Sequence, residues 1–175
     1  NVFLTGEPGS GKTHMVNRYV AYLRERSIEP AITASTGIAA THIGGMTIHS
    51  WSGIGIKTKL DKYNLNKIAS SKYIAKRVYR TKVLVIDEVS MLPAETLSMV
   101  DAVCREIKQS PEPFGGMQVV FVGDFFQLPP IIKTEEESLA RFAYDSSSWG
   151  RLNPIVCYLT EQYRQDDHDF LSMLS

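Results

Sequence analysis

Apolar residues occur along this chain in short unbroken runs, separated by stretches in which they return every three or four positions. Unbroken runs bounded by polar residues predict strands buried on both faces, and the longer spacing predicts amphipathic helices. The runs are Val2-Phe3-Leu4, Ala31-Ile32-Thr33-Ala34, Val83-Leu84-Val85-Ile86, Val119-Val120-Phe121-Val122 and Ile155-Val156-Cys157-Tyr158-Leu159. Between them, Met15, Tyr19, Val20, Tyr22 and Leu23 predict a helix ending near Arg26. Leu97, Val100, Val103, Cys104 and Ile107 predict a second, from near Ala94 to Lys108, before Pro111, Pro113, Gly115 and Gly116 break the chain. A short amphipathic helix is expected over Glu135 to Ala143, and a last helix after Gln165. Alternating strands and crossover helices define the doubly wound α/β class with a parallel sheet.

The first run leads directly into Gly6-Glu7-Pro8-Gly9-Ser10-Gly11-Lys12-Thr13, with His14 following. Glycines allow a tight turn that aims several backbone N–H groups into one concavity, at the positive end of the next helix. In the pattern G-x-x-x-x-G-K-[ST], Lys12 reaches the β- and γ-phosphates and the Thr13 hydroxyl ligates Mg2+. The expected ligand is ATP or another Mg-nucleoside triphosphate, with His14 placed to lie against it. Asp87 and Glu88 end the third run, so a parallel sheet brings both to the edge that carries the phosphate loop. Asp87 would hold Mg2+ through its water shell, and Glu88 would polarise the attacking water. Gln127, beyond the fourth run, would hydrogen-bond the γ-phosphate.

Composition narrows the picture modestly. The chain has 175 residues, 43% hydrophobic, with a formal net charge of zero. No apolar run approaches membrane-spanning length, so a soluble intracellular domain is expected. Its two cysteines, Cys104 and Cys157, have no metal-ligand spacing and read as buried reduced thiols. Charge is instead clustered: Lys57, Lys59, Lys62, Lys67, Lys72, Lys76, Arg77, Arg80 and Lys82 are opposed only by Asp61, with Tyr63, Tyr73 and Tyr79 interleaved. Cations alternating with aromatics suit a phosphate backbone and its bases; a solvated face on a helical arm would give the same pattern. Upstream, the small residues of Ser35-Thr36-Gly37-Ile38-Ala39-Ala40 permit close backbone approach, and Thr47 is a helix N-cap candidate. Trp51 is either a stacking surface for a base or a core residue.

Together these stretches resemble the Pif-type (petite integration frequency) DNA helicases of superfamily one, the branch that moves 5′ to 3′. Gly6 to Thr13 is similar to the family's first motif, and Ala34 to Ala40 with Thr47-Ile48-His49-Ser50-Trp51 to its DNA-touching second. Val85 to Met91 resembles the hydrolysis motif. The stretch from Ser90-Met91-Leu92 to Pro113-Phe114-Gly115-Gly116-Met117-Gln118 resembles the segment that separates this family from related helicases. Gly123 to Pro130 matches the coupling motif, whose glutamine senses the γ-phosphate. Leu159 to Gln165 resembles the motif whose arginine, here Arg164, acts as an arginine finger.

The resemblance implies a RecA-like P-loop NTPase fold, with residues 1–52 and 83–175 forming the first motor domain and 53–82 an inserted basic arm that helps part the strands. It implies DNA contacts at Thr36, Gly37, Thr47, His49, Ser50, Trp51, Lys57 and Lys59, and catalytic roles for Lys12, Asp87, Glu88, Gln127 and Arg164. The implied partners are single-stranded DNA, forked or structured DNA, and a second motor domain of the same parent chain, in a monomer. Because the chain begins inside a strand without an initiator Met, it is expected to be excised from a longer protein; because the resemblance covers only the first motor domain, it is expected to bind Mg-ATP weakly, hydrolyse it slowly and not unwind DNA alone. The implied compartment is nucleus or mitochondrion in a eukaryote and cytoplasm in a bacterium. The rival reading is a phosphate-loop ATPase that acts as a nucleotide-driven switch on protein partners.

Overall fold

The computed structural model describes residues 1–131 and 141–160. Six parallel strands form one sheet: β1 (Val2–Gly6), β2 (Ala31–Ala34), β3 (Met46–Thr47), β4 (Val83–Asp87), β5 (Gln118–Val122) and β6 (Ile155–Leu159). Their order is β3-β2-β4-β5-β1-β6. The chain therefore crosses the sheet from β1 to β2, and later places β5 between β4 and β1. All five expected strands are present. The additional strand, β3, is too short for any periodicity to reveal, and its partner is β2 through Thr33 opposite Met46 and Ala34 opposite Thr47.

Two apolar layers cover the sheet. On one face, α1 (Lys12–Glu25) buries Val16, Val20 and Leu23 against Leu4, Val83, Val85, Val120 and Val122. Met15 and Tyr22, expected on the apolar stripe of that helix, are about half exposed instead. The opposite face holds the larger core, where α6 (Ala94–Lys108) packs Leu97, Val100, Val103 and Cys104 beneath Leu84, Ile86, Val119 and Phe121. Its bounds match the expected helix. The connections α2 (Gly37–His42) and α3 (Ile48–Ser52) are short and capped by Thr36 and Thr47, whose hydroxyls accept from the backbone N–H of Ala39 and Ser50.

The basic segment folds as two helices, α4 (Lys62–Ala69) and α5 (Lys72–Arg80). Asp61 caps the first, accepting from the Asn64 amide at 2.6 Å. Ile68 and Val78 are buried in the same core as α6, with Leu65 and Ile74 packed against it. Tyr63, Tyr73 and Tyr79 all face outward. After β5, an aromatic cluster ties the connecting loop down: Trp149, on α7 (Ser147–Leu152), stacks on Phe121 with centroids 4.2 Å apart, and Phe125 lies 5.2 Å from Phe3.

Of three further expectations, the structure decides the alternatives at Trp51 for the core, corrects that at Cys157 and describes only the end of the third. Trp51 is only 4% exposed, held in the core, so its ring presents no stacking surface. A five-residue helix leaves no periodicity from which to read which side it buries. Cys157 is exposed, because β6 is a sheet edge whose residues Ile155, Val156 and Tyr158 are also exposed. Cys104 is buried as expected, and both thiols are unpaired. The helix expected over Glu135 to Ala143 lies outside the described residues up to position 140, and Ala143 begins a short 3-10 turn to Asp145.

Candidate nucleotide and nucleic-acid site

Parallel strands deliver their C-terminal ends to one edge, and the loops that leave β1, β4, β5 and β6 meet there. The loop after β1 follows from its glycines. Gly11 holds a left-handed conformation (φ 88°) immediately before α1, a turn that a side chain would strain. At Gly6 a Cβ would lie 2.6 Å from the Leu159 carbonyl oxygen and 2.7 Å from Ser10 Oγ, so the approach of β6 to the loop requires glycine. Ser10 Oγ is buried without a hydrogen-bond partner. The Lys12 ammonium donates to the carbonyls of Gly6 at 2.6 Å and Glu7 at 3.0 Å, which holds its charge over the loop.

A cavity of about 830 Å³ opens above this loop. Residues Pro8 to His14 line it together with Glu88, Gln127, Tyr158 and Leu159. Lys12, Thr13, His14, Glu88 and Gln127, separated by up to 115 positions in sequence, therefore share one space. Asp87 ends β4 beside Glu88, and its Oδ1 accepts from the Glu88 amide at 2.9 Å. Burial pushes the Asp87 carboxyl above its ordinary range, against that hydrogen bond and the attraction of Lys12. Glu88 is also raised, first by burial, then by repulsion from Asp87, with Lys12 opposing and Asp124 adding. Both are carboxylates whose ionised form is favoured by incoming positive charge.

Glu88 stands in a left-handed conformation (φ 52°, ψ 43°), uncommon for a residue with a side chain. Its carbonyl accepts from Met91 N–H at 3.1 Å and from Ser35 Oγ at 2.8 Å. Gln127 is likewise held: its side-chain amide donates to Asp124 Oδ2 at 2.9 Å, while Asp124 Oδ1 accepts from Phe126 N–H at 3.0 Å. One amide N–H of Gln127 is thus committed to Asp124, and the second remains to meet a ligand. Ser35 and Asp124 lie within the motif stretches quoted above, but their individual roles are not readable there, since both act through contacts that only the folded turn creates. Arg164 lies outside the described residues.

A second depression, of about 980 Å³, runs along the side of the domain. Thr47, His49, Ser50, Lys57 and Lys59 line it, facing Pro93, Glu95, Ser98 and Ile131. Five of the eight residues expected to touch DNA therefore share one groove. Thr36 and Gly37 are not among its lining; they stand at the start of α2, with Gly37 exposed. Burial pulls the His49 imidazole below its ordinary pKa, favouring the neutral ring. Arg77, reaching over from α5, donates to the carbonyls of Trp51 at 2.7 Å and of Ser50, which fixes the basic helices against this wall.

No described helix is long and apolar enough to cross a membrane, and no group of three or more His, Cys, Asp or Glu among the described residues could hold a metal. The chemistry of the site is that of a phosphate loop facing paired carboxylates across a parallel sheet.

That arrangement defines a RecA-like P-loop NTPase domain, with a glutamine delivered between the carboxylates and the loop. The chain belongs to the PIF1-like helicase family, whose family model matches residues 1–172. It is 52% identical over 165 residues to the ATP-dependent DNA helicase Pif1 of a Psychrobacter strain, an alignment covering 94% of this chain and 25% of that protein. The crystal structure of Pif1 helicase from Candida albicans superposes with a TM-score of 0.90 at 35% identity, covering 99% of this chain and 39% of that one. Pif1 helicase from Bacteroides, in complex with ADP-AlF3 and single-stranded DNA, superposes with a TM-score of 0.84 at 35% identity, covering 98% and 41%. The chain spans about a quarter of the length of the curated relatives it matches.

Proposed function

We propose that this chain is the ATP-binding first motor domain of a DNA helicase that moves 5′ to 3′ on single-stranded DNA. The observation that carries the reading is the convergence of Lys12, Thr13, Glu88 and Gln127 on one cavity at the C-terminal edge of the sheet. Its backbone amides and Lys12 bind the triphosphate. The Thr13 hydroxyl and, through water, Asp87 would hold Mg2+, which would supply positive charge to offset that of the phosphates. The buried, unpartnered Ser10 hydroxyl and the tight glycine turn fit such a ligand. Glu88 accepts a proton from the attacking water, Gln127 donates its remaining N–H to the γ-phosphate, and Arg164 is the arginine finger.

The DNA strand would follow the groove of Thr47, His49, Ser50, Lys57 and Lys59 and touch Thr36 and Gly37, with residues 53–82 as a basic arm at the fork. That a Bacteroides Pif1 helicase is found in complex with single-stranded DNA supports DNA as the ligand. The second motor domain belongs to the remainder of a monomeric parent chain, where closure on ATP and reopening after hydrolysis would move the strand. The domain alone would not unwind.

The deciding experiment is steady-state ATP hydrolysis by the full-length protein with and without single-stranded DNA, with Lys12→Ala excluding contaminating ATPase. Strong stimulation that disappears in Lys12→Ala is expected, and Arg164→Ala should reduce the rate by about 10³- to 10⁵-fold while nucleotide still binds. Lys12-dependent hydrolysis indifferent to DNA would overturn the helicase reading in favour of a nucleotide-driven switch on protein partners.

A further inference from the structure

One serine links the proposed DNA contacts to the backbone of the hydrolytic carboxylate through a hydrogen bond. Strand β2 pairs with β4 in a register that sets Ala34 opposite Asp87, and the pairing continues one residue further, Ser35 N–H donating to the Asp87 carbonyl at 3.1 Å. The next contact changes character: Ser35 Oγ donates to the Glu88 carbonyl at 2.8 Å. Ser35 is buried, whereas Thr36 is partly exposed and Gly37 and Ile38 are exposed. The chain thus passes within two residues from a buried hydrogen bond on Glu88 to the surface that faces the strand.

The held residue is the one that needs holding. The left-handed backbone of Glu88 has no glycine to relieve it, and two of its local hydrogen bonds, from its own N–H to Asp87 and from Met91 N–H to its carbonyl, lie within its own turn. Ser35 supplies a restraint from another strand. The Ser35 hydroxyl thus restrains, from outside the turn, the peptide that carries the Glu88 side chain.

We propose that Ser35 is a positioning residue that couples DNA occupancy at Thr36 and Gly37 to the aim of the Glu88 carboxylate. The proposal rests on the assignment of Glu88 as the base and of the Thr36–Gly37 turn as a DNA contact. A strand that seats on the turn draws the preceding peptide with it, and the Ser35 hydroxyl carries that displacement to the Glu88 carbonyl. Hydrolysis is then fast only with the strand in place.

Ser35→Ala, Ser35→Thr and Thr33→Val test this in the full-length protein. Thr33 Oγ1 donates to the Val85 carbonyl at 2.7 Å, a buried hydrogen bond between the same two strands but away from Glu88, and so controls for lost strand pairing. The readout is the ratio of hydrolysis rates with and without single-stranded DNA, beside the affinities for ATP and DNA. Ser35→Ala is expected to lower the ratio by about 10- to 100-fold with both affinities little changed, as a small misplacement of a catalytic group would. Ser35→Thr, which keeps the hydroxyl, should restore the ratio, and Thr33→Val should retain it. If Ser35→Ala fails to fold, Ser35→Cys keeps the volume and weakens the donor, with the same expectation. A wild-type ratio in the folded Ser35 variant, whether or not both rates fall, overturns the proposal. Absence of DNA stimulation in the wild type overturns the helicase reading, and this proposal with it.

Discussion

Asp101 offers a test of what fixes the family-specific segment. Its carboxylate is fully buried on α6 and gathers three elements: Oδ1 accepts from Phe114 N–H at 2.6 Å, and Oδ2 from Ser148 Oγ at 2.8 Å and the Arg151 guanidinium at 2.7 Å. Arg105 Nε stands 3.2 Å from Oδ2 as an ion pair without hydrogen-bond geometry. In Asp101→Asn the amide oxygen can still serve Phe114, but the new NH2 faces Arg151, which cannot accept. One charge-assisted bond is lost, about 1.5 kcal/mol once the partial exposure of Arg151 is discounted, and one buried donor is left unpaired at about 1 to 3 kcal/mol. The expected loss is about 3 kcal/mol, or a Tm lower by roughly 6 to 12 °C for a domain of this size. Asp101→Ala also orphans the Phe114 N–H and should cost about 3 to 5 kcal/mol. Urea denaturation followed by tryptophan fluorescence measures this well, since Trp149 sits on α7 beside Ser148 and Arg151. A change within about 0.5 kcal/mol for Asp101→Asn, the range of ordinary surface substitutions, would refute the reasoning.

As the proposed base, Glu88, raised by burial and by its acidic neighbours, would have to be ionised, so kcat/KM should fall on an acidic limb lying above the ordinary glutamate range. Because its folded pKa is raised, its contribution to stability is full below the unfolded pKa and is lost as pH rises through the folded value. Glu88→Gln should therefore abolish hydrolysis yet raise Tm at neutral pH, with the gain shrinking in acid; an unchanged or lower Tm at neutral pH would count against it. Cys104 is buried, and burial pushes its thiol up, whereas Cys157 is exposed on β6. Under native conditions iodoacetamide should label Cys157 and spare Cys104, as peptide mass mapping would report. At Gly45 a Cβ would fall 2.3 Å from the Ile32 carbonyl oxygen, so Gly45→Ala should displace β3 from β2 and lower Tm, whereas a wild-type melt would show that the edge strand yields freely.

The sequence made the sheet legible where the chain is apolar on both faces. Val83 to Ile86 and Val119 to Val122 are central strands, and an unbroken run is the direct consequence of cover on both sides. The phosphate loop and the Asp87-Glu88 pair were legible for a related reason: a parallel sheet sends every strand end to one edge, so proximity follows from topology alone. What escaped was decided by tertiary contact. The exposure of β6 follows from its place at the sheet edge, and an apolar run does not declare whether it lies at a centre or an edge. The stripe of α1 was misjudged, and Trp51 could be read either way, because a helix face is set by what packs on it; in α1 the sheet selects Val16 in place of Met15 and Tyr22. The contacts of Ser35 with Glu88 and of Asp101 with Ser148 join residues 53 and 47 positions apart, with no motif of their own.

Strand order explains why these contacts accumulate where they do. Placing β5 between β4 and β1 sets the loop that carries Asp124 and Gln127 between the carboxylates and the phosphate loop, so one cavity receives side chains from both directions. On its other side β4 pairs with β2, and the turn beyond β2 is the exposed one. The residue at the end of β4 is therefore bordered by a nucleotide-facing loop on one flank and an outward-facing loop on the other. Glu88 occupies that position in a backbone conformation that local hydrogen bonds alone do not secure, and Phe125 anchors the nucleotide-facing flank to the aromatic cluster. On the proposal above, a strand seated on the outward-facing loop would reach the carboxylate through the Ser35–Glu88 hydrogen bond without requiring the sheet to deform.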